Sequence, residues 1–254
     1  MKIGFFDSGL GGLTILKATR NLLPQYDYVF FGDTAHVPYG GKSEEEIHSL
    51  TWHGIETLFE AGALLVIVAC NSASAESLRK IQDTVLKEQY PDRRVLGVII
   101  PTVETLIDRK SNRVLLIGTE RTINSKKYER ELSKIENTIT LMTHATPSLV
   151  PKIEIGDLVG ACTDVKKVVD GVRGNIDTIV LGCTHYTMLK MQLREAYPEM
   201  EIISQDEIIP EKLKNYLARH PEIESRLTHE RGIEILLSAE SPEYDLIKKD
   251  FLVV

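Results

Sequence analysis

Short apolar runs alternate along this chain with longer stretches in which apolar side chains recur at helical spacing. The short runs are Lys2 to Phe6, Tyr28 to Phe31, Leu64 to Ala69, Val95 to Ile99, Val114 to Ile117, Thr138 to Met142, Thr178 to Leu181, Glu201 to Ile203 and Ile233 to Leu237. Most are apolar at nearly every position rather than at alternate ones, which is the signature of parallel strands covered by helices on both faces. The amphipathic stretches between them supply crossover helices, so the pattern predicts an α/β protein. Ser43-Glu44-Glu45-Glu46 reads as a capping box with acids in the first helical turn, opening a helix that runs towards Gly62.

The pattern also repeats itself. Val66-Ile67-Val68-Ala69-Cys70-Asn71-Ser72 has a counterpart in Ile179-Val180-Leu181-Gly182-Cys183-Thr184-His185, 183 minus 70 or 113 residues later. Near the same offset, Lys2 to Ser8 matches Val114 to Thr119, and Val37-Pro38 matches Val150-Pro151. Three matches in one order predict two similar α/β lobes, each a mainly parallel sheet flanked by helices and related by pseudo-two-fold symmetry.

Composition narrows the function. The 254 residues carry 30 Lys and Arg against 37 Asp and Glu, a net charge of −7, with no dense basic stripe, which argues against nucleic acid as a ligand. The longest apolar run, Ala63 to Cys70, falls far short of the ~20 residues that span a bilayer, so no membrane span is expected. Asp7 interrupts the N-terminus before an export signal can develop, and the expected location is the cytoplasm. Cys70, Cys162 and Cys183 contain no C-x-x-C pair and predict neither a disulfide framework nor a metal site.

Ligands of open α/β sheets gather beyond the carboxyl ends of the strands. Cys70 and Cys183 both fall there, each before a helix entrance whose free N–H groups favour a thiolate, whereas Cys162 reads as an inert core residue. Asp7-Ser8-Gly9-Leu10-Gly11-Gly12 follows the first strand and offers backbone amides to an anion. Thr14 stands where a dinucleotide fingerprint needs its third Gly, and His36 stands where a P-loop ending in Gly41-Lys42-Ser43 needs its first, so the loop reads as a carboxylate site. His48 and His53 miss the i, i+4 spacing of a helical metal pair, and Glu154 and Asp157 sit at the spacing of a solvated helix face.

Taken together, Asp7-Ser8-Gly9-Leu10-Gly11-Gly12-Leu13, Val37-Pro38-Tyr39-Gly40, Ala69-Cys70-Asn71-Ser72-Ala73 and Gly182-Cys183-Thr184-His185-Tyr186, in this order and spacing, resemble the glutamate racemases. The resemblance covers nearly the whole chain. It implies a cofactor-independent enzyme that interconverts L- and D-glutamate, supplies D-glutamate for peptidoglycan synthesis, has its active site in the cleft between two lobes, and admits a homodimer. The chemistry agrees: inverting a stereocentre by proton exchange needs one group to take the Cα proton and another to return one to the opposite face. By the resemblance, Cys70 and Cys183 are that pair, Cys70 acting on the D form and Cys183 on the L form. Asp7 assists Cys70, while His185 and Glu154 assist Cys183. Ser8, Asn71, Ser72 and Thr184, with the backbone amides of Tyr39 and Gly40, bind substrate together with Asp7 and His185.

The expected lobes are residues 1–95 with 205–254, and residues 96–204 between them. The chain departs from the family pattern at Thr187, Ser72, Ile100-Pro101-Thr102, Ala145-Thr146-Pro147 and Ser204-Gln205-Asp206. Three other readings stay open: a racemase of aspartate or another amino acid, a thiol hydrolase using Cys183 with His185, and a binding homologue without turnover.

Overall fold

The computed structural model describes residues 1–135, 138–239 and 241. Among these residues nine strands form two wholly parallel sheets: β1 (Lys2–Asp7), β2 (Tyr28–Gly32), β3 (Ala63–Val68), β4 (Arg94–Gly97), β5 (Arg113–Gly118), β6 (Thr140–Ala145), β7 (Thr178–Gly182), β8 (Glu201–Ile203) and β9 (Ile233–Leu237). The first sheet has the order β4-β3-β1-β2-β9 and the second β6-β5-β7-β8. Read from the other edge, the second is β8-β7-β5-β6, which repeats the first four strands of the first sheet. The internal similarity of the sequence is therefore a repeat of topology, with β9 added to one copy.

Side chains on the central strands alternate between two cores, as a period of two requires. Ile3 and Phe5 of β1, with Val114 and Leu116 of β5, enter one core that runs between the sheets and includes Ile208, Ile209 and Leu213 of the helix Gln205–Arg219. Phe6 of β1 enters a core private to the first lobe, and Leu115 and Ile117 of β5 one private to the second. Burying each such Leu, Ile or Phe contributes about 1.5–3 kcal/mol, so the shared core ties the lobes together.

The capping box at Ser43 is formed by both of its bonds, Glu46 N–H to Ser43 Oγ at 3.2 Å and Ser43 N–H to Glu46 Oε2 at 2.9 Å. The helix it opens runs Glu44–Glu60 and ends before Gly62, whose φ of +92° lies in the region that favours glycine. Two strand expectations shift. Ile99 begins the helix Ile99–Asp108 instead of ending β4, because the apolar run continues from the strand into the first helical turn without a polar break. The expected lobe boundary between residues 95 and 96 accordingly falls inside β4, and the chain leaves the first sheet after Gly97. On β6, the strand extends to Ala145 through the polar Thr143 and His144, since an edge strand keeps one wet side. Of the expected first lobe, residues 240 and 242–254 lie outside the described residues.

Candidate active site

Register brings the chemistry together. Asp7 ends β1 opposite Gly32 of β2, and Phe6 lies opposite Val68 of β3, so Ser8 and Cys70 emerge at the same edge of the first sheet. In the second sheet Gly118 lies opposite Gly182, and Thr119 and Cys183 emerge in the same way. These two edges face each other across one cavity lined by Ser8, Val37, Pro38, Tyr39, Gly40, Cys70, Asn71, Ser72, Thr119, Val150, Cys183, Thr184 and His185. All three cysteines are free, and Cys162 is buried in the helix Leu158–Val172, away from the cavity lining. The cavity measures about 20 Å³, space for a water or two. A larger cavity of about 400 Å³, among Leu78, Leu96, Ile99, Leu213 and Tyr216, is lined by neither cysteine nor histidine.

Small residues let the lobes approach. A Cβ on Gly11 would stand 2.6 Å from Thr184 Oγ1 and 3.0 Å from the His185 backbone nitrogen, and one on Gly40 would stand 3.0 Å from Thr119 Cβ. Hydroxyls bridge the same gap: Ser72 Oγ lies 2.9 Å from Thr119 Oγ1, and Thr184 Oγ1 donates to Asp7 Oδ1 and Oδ2 at 3.3 and 3.4 Å. Tyr39 is buried and donates to Asp33 Oδ2 at 2.6 Å, which holds the turn Tyr39–Gly41 against the cavity.

The two sulfurs have unlike company. Cys70 Sγ donates to Ser8 Oγ at 3.4 Å. Burial pushes the Cys70 thiol up to about 12, and the Asp7 charge adds to this against the opposing bonds from Ser8 and the Ala73 backbone. Asp7 itself accepts from Gly12 N–H at 2.9 Å; burial holds its carboxyl above the usual range, although His185 and the bonds from Gly12, Gly9 and Thr184 pull downwards. Asp7 therefore acts on Cys70 through space, with Ser8 as the bonded partner.

Cys183 Sγ lies 3.9 Å from His185 Nδ1, and His185 Nε2 lies 3.2 Å from Glu154 Oε1. Burial disfavours the imidazolium, but bonds to Cys183 and Glu154 and the charges of Cys183 and Asp7 outweigh it and raise His185 to about 10. Glu154 closes the helix Leu149–Glu154, while Asp157 caps the next helix through Gly160 N–H at 2.9 Å; the two are not one solvated face. Cys183 and His185 do not share a strand either, because β7 stops at Gly182 and His185 sits in the 3₁₀ turn Thr184–Leu189. That geometry removes the strand basis for a Cys–His hydrolase pair.

All but one of the expected site residues, Cys70, Cys183, Asp7, His185, Ser8, Tyr39, Gly40, Asn71, Ser72 and Thr184, line this cavity or hydrogen-bond to a residue that does; the remaining one, Glu154, reaches it as the ion-pair partner of His185. Thr119 and Val150 are additions to the expected site. The repeat carries the signal for both, since they are the counterparts of Ser8 and Val37 and line the same cavity as those residues. His48 and His53 belong to the helix Glu44–Glu60, and among the described residues no group of His, Cys, Asp and Glu could hold a metal ion. Among the same residues no helix is long and apolar enough to cross a membrane.

Comparison with known proteins gives one family. The family profile described as Asp/Glu/Hydantoin racemase matches residues 14–209. The chain is 35% identical over 238 residues to a glutamate racemase of Ruegeria sp. (strain TM1040), covering 88% of this chain and 87% of that protein. Among solved structures it is similar to glutamate racemase isoform RacE1 from Bacillus anthracis, with TM-score 0.87, 29% identity and coverage of 100% and 94% of the two chains. It is also similar to the glutamate racemase from Francisella tularensis in complex with D-glutamate, with TM-score 0.84, 27% identity and the same coverage.

Proposed function

The chain belongs to the Asp/Glu/hydantoin racemase family and is an amino-acid racemase, and on that footing we propose that it interconverts L- and D-glutamate through Cys70 and Cys183 and supplies D-glutamate for peptidoglycan synthesis. The observation that carries the reading is that two free cysteines, from equivalent strand ends of two lobes, line one cavity. The first lobe runs to the end of β4 and resumes at about residue 205, with the second lobe between.

With L-glutamate bound, Cys183 as its thiolate takes the Cα proton while the Cys70 thiol, held protonated by burial and by Asp7, gives its proton to the opposite face of the carbanion. The C–H bond on one face breaks, the C–H bond on the other forms, and the proton inventory moves from Cys70 to Cys183. D-glutamate follows the reverse path. A thiol is a far stronger acid than an amino-acid Cα–H, so the carbanion needs fixed donors in a closed cleft, where they stabilise developing charge better than water does. Ser8, Ser72, Thr119 and Thr184, the Asn71 amide and the backbone amides of Tyr39 and Gly40 supply them, and Asp7, His185 and Glu154 return protons to the two sulfurs between turnovers.

The test is incubation of the reduced protein with L-glutamate in D₂O without pyridoxal phosphate, following optical rotation and deuterium at Cα. Rotation decaying to zero with one deuterium gained per inversion is the expected result. Loss of neither rotation nor Cα hydrogen in folded, reduced protein excludes glutamate as the substrate.

A further inference from the structure

Immediately after Cys70, the Asn71 side chain is held in a buried polar knot that joins four parts of the chain. Asn71 Nδ2 donates to Gln205 Oε1 at 2.7 Å, and Gln205 Nε2 donates back to Asn71 Oδ1 at 2.9 Å. Tyr128 OH donates to the same Oδ1 at 2.8 Å, and Gln205 Nε2 also reaches Tyr128 OH at 3.3 Å and Thr102 Oγ1 at 3.4 Å. All four side chains are buried. Two carboxamides can pair in this cyclic way in either of two flipped states, so something must choose between them.

Thr102 makes the choice. Its one hydroxyl hydrogen goes to the Val98 carbonyl at 2.7 Å, which leaves Thr102 Oγ1 an acceptor and requires the nitrogen of Gln205 to face it. Gln205 Oε1 then faces Asn71 and demands Nδ2 there, while Tyr128 and Gln205 together fill both lone pairs of Asn71 Oδ1. What Asn71 retains is one N–H and no acceptor. Asn71 also lines the cavity that holds both sulfurs.

We propose that Gln205 is a positioning residue, which locks the Asn71 carboxamide so that it offers the active-site cavity a hydrogen-bond donor and never an acceptor, selecting a carboxylate at that point. The assignment rests on the glutamate reading above, because it presumes an anionic group of the substrate next to Cys70. Gln205 is 134 residues from Asn71 and opens the helix that follows β8, so the lock also makes the donor dependent on how that helix sits.

The experiment replaces Gln205 by Met, which keeps the volume and removes the bonds. Loss of the lock is expected to raise KM for both glutamate enantiomers about tenfold while kcat changes less than about threefold, the scale of one or two net hydrogen bonds. In an Asn71→Ala background the same change is expected to have no further effect on KM. Thr102→Val, which leaves Gln205 in place and removes the group that orients it, is expected to move KM in the same direction by a smaller factor, and it carries the test if Gln205→Met does not fold. In ¹⁵N-labelled protein the Asn71 side-chain amide should exchange slowly with water, and at least about tenfold faster in either variant. An unchanged KM in both variants, or full additivity with Asn71→Ala, overturns the proposal. Failure of the wild-type protein to convert glutamate overturns the glutamate reading instead, and amide exchange then judges the lock alone: unchanged exchange in the variants overturns it.

Discussion

Cys70 and Cys183 end equivalent strands of a repeated sheet, yet one sulfur sits among neutral and anionic groups and the other beside a cation. On the Cys70 side the neighbours are the Ser8 hydroxyl and the Asp7 carboxyl; on the Cys183 side they are the His185 imidazolium and, behind it, Glu154. The repeat locates the difference. Asp7 corresponds to Gly118 and Ser8 to Thr119, while Ser72 corresponds to His185. Duplication thus supplied two sulfurs at matched positions, and divergence at Asp7 and His185 made one side favour the protonated thiol and gave the other a cationic partner. On the proposed mechanism each turnover starts with one base empty and one acid loaded, and the unlike neighbours of the two sulfurs match that requirement for the L-to-D direction.

Serine in place of either cysteine is the most severe way to break the comparison. Each of Cys70→Ser and Cys183→Ser is expected to lower racemisation about 10³-fold or more, the range for loss of a positioned proton donor or acceptor. Handedness sharpens the result: Cys70→Ser should retain slow Cα exchange in D₂O with L-glutamate only, and Cys183→Ser with D-glutamate only. Exchange with the same enantiomer in both variants would mean that the sulfurs do not face opposite sides of the substrate.

Replacing Asp7 should have the next most severe consequence, and its effects on activity and stability should part company. Asp7→Asn is expected to lower turnover about 10²-fold, since the amide cannot carry a proton to or from the Cys70 side. It should leave the protein as stable or raise the unfolding free energy by about 1 kcal/mol, because the buried carboxyl is the group that burial penalises and an amide oxygen still accepts from Gly12 N–H. Thermal unfolding measured beside kcat checks both halves. Unchanged turnover would return Asp7 to a purely structural role at the Gly12 turn.

The strands and the sulfurs were legible in the residue pattern for one reason: a buried parallel strand announces itself by unbroken apolarity, and a polar residue at its carboxyl end has few places to go but the cleft. Cys70 after β3 and Cys183 after β7 follow from that alone. What stayed hidden depended on contacts between distant segments. Nothing local separates Glu154 from a solvated helix residue until His185 is folded against it, and nothing local marks Gln205 until Asn71 and Thr102 surround it. Thr119 lies between these cases, since its own neighbours say little while its repeat partner Ser8 points to the site. Val98-Ile99-Ile100 was unreadable in another way, because a strand's end and a buried helix's start share the same composition.

A further effect follows from the His185 ring and is a slope in stability with pH. Folding raises this histidine from its ordinary 6.5 to about 10, so the folded state holds a proton that the unfolded chain releases near neutrality. A raised pKa contributes stability that is complete below about pH 6.5 and is lost as pH climbs through about 10. Urea unfolding of the wild-type protein between pH 7 and 10 should therefore show a decline in unfolding free energy, and His185→Gln should be flatter over the same window, because its side chain does not titrate. Glu154→Gln should fall between them: it removes the partner on Nε2 and leaves the bond to Cys183. Since Asp7 also raises His185 by its charge, Asp7→Asn should lower the upper end of the window, which would tie the two unlike halves of the site to one proton. Identical slopes in wild type and His185→Gln would show that the imidazolium is not held by the fold, and the contrast between the two sulfurs would then rest on Asp7 alone.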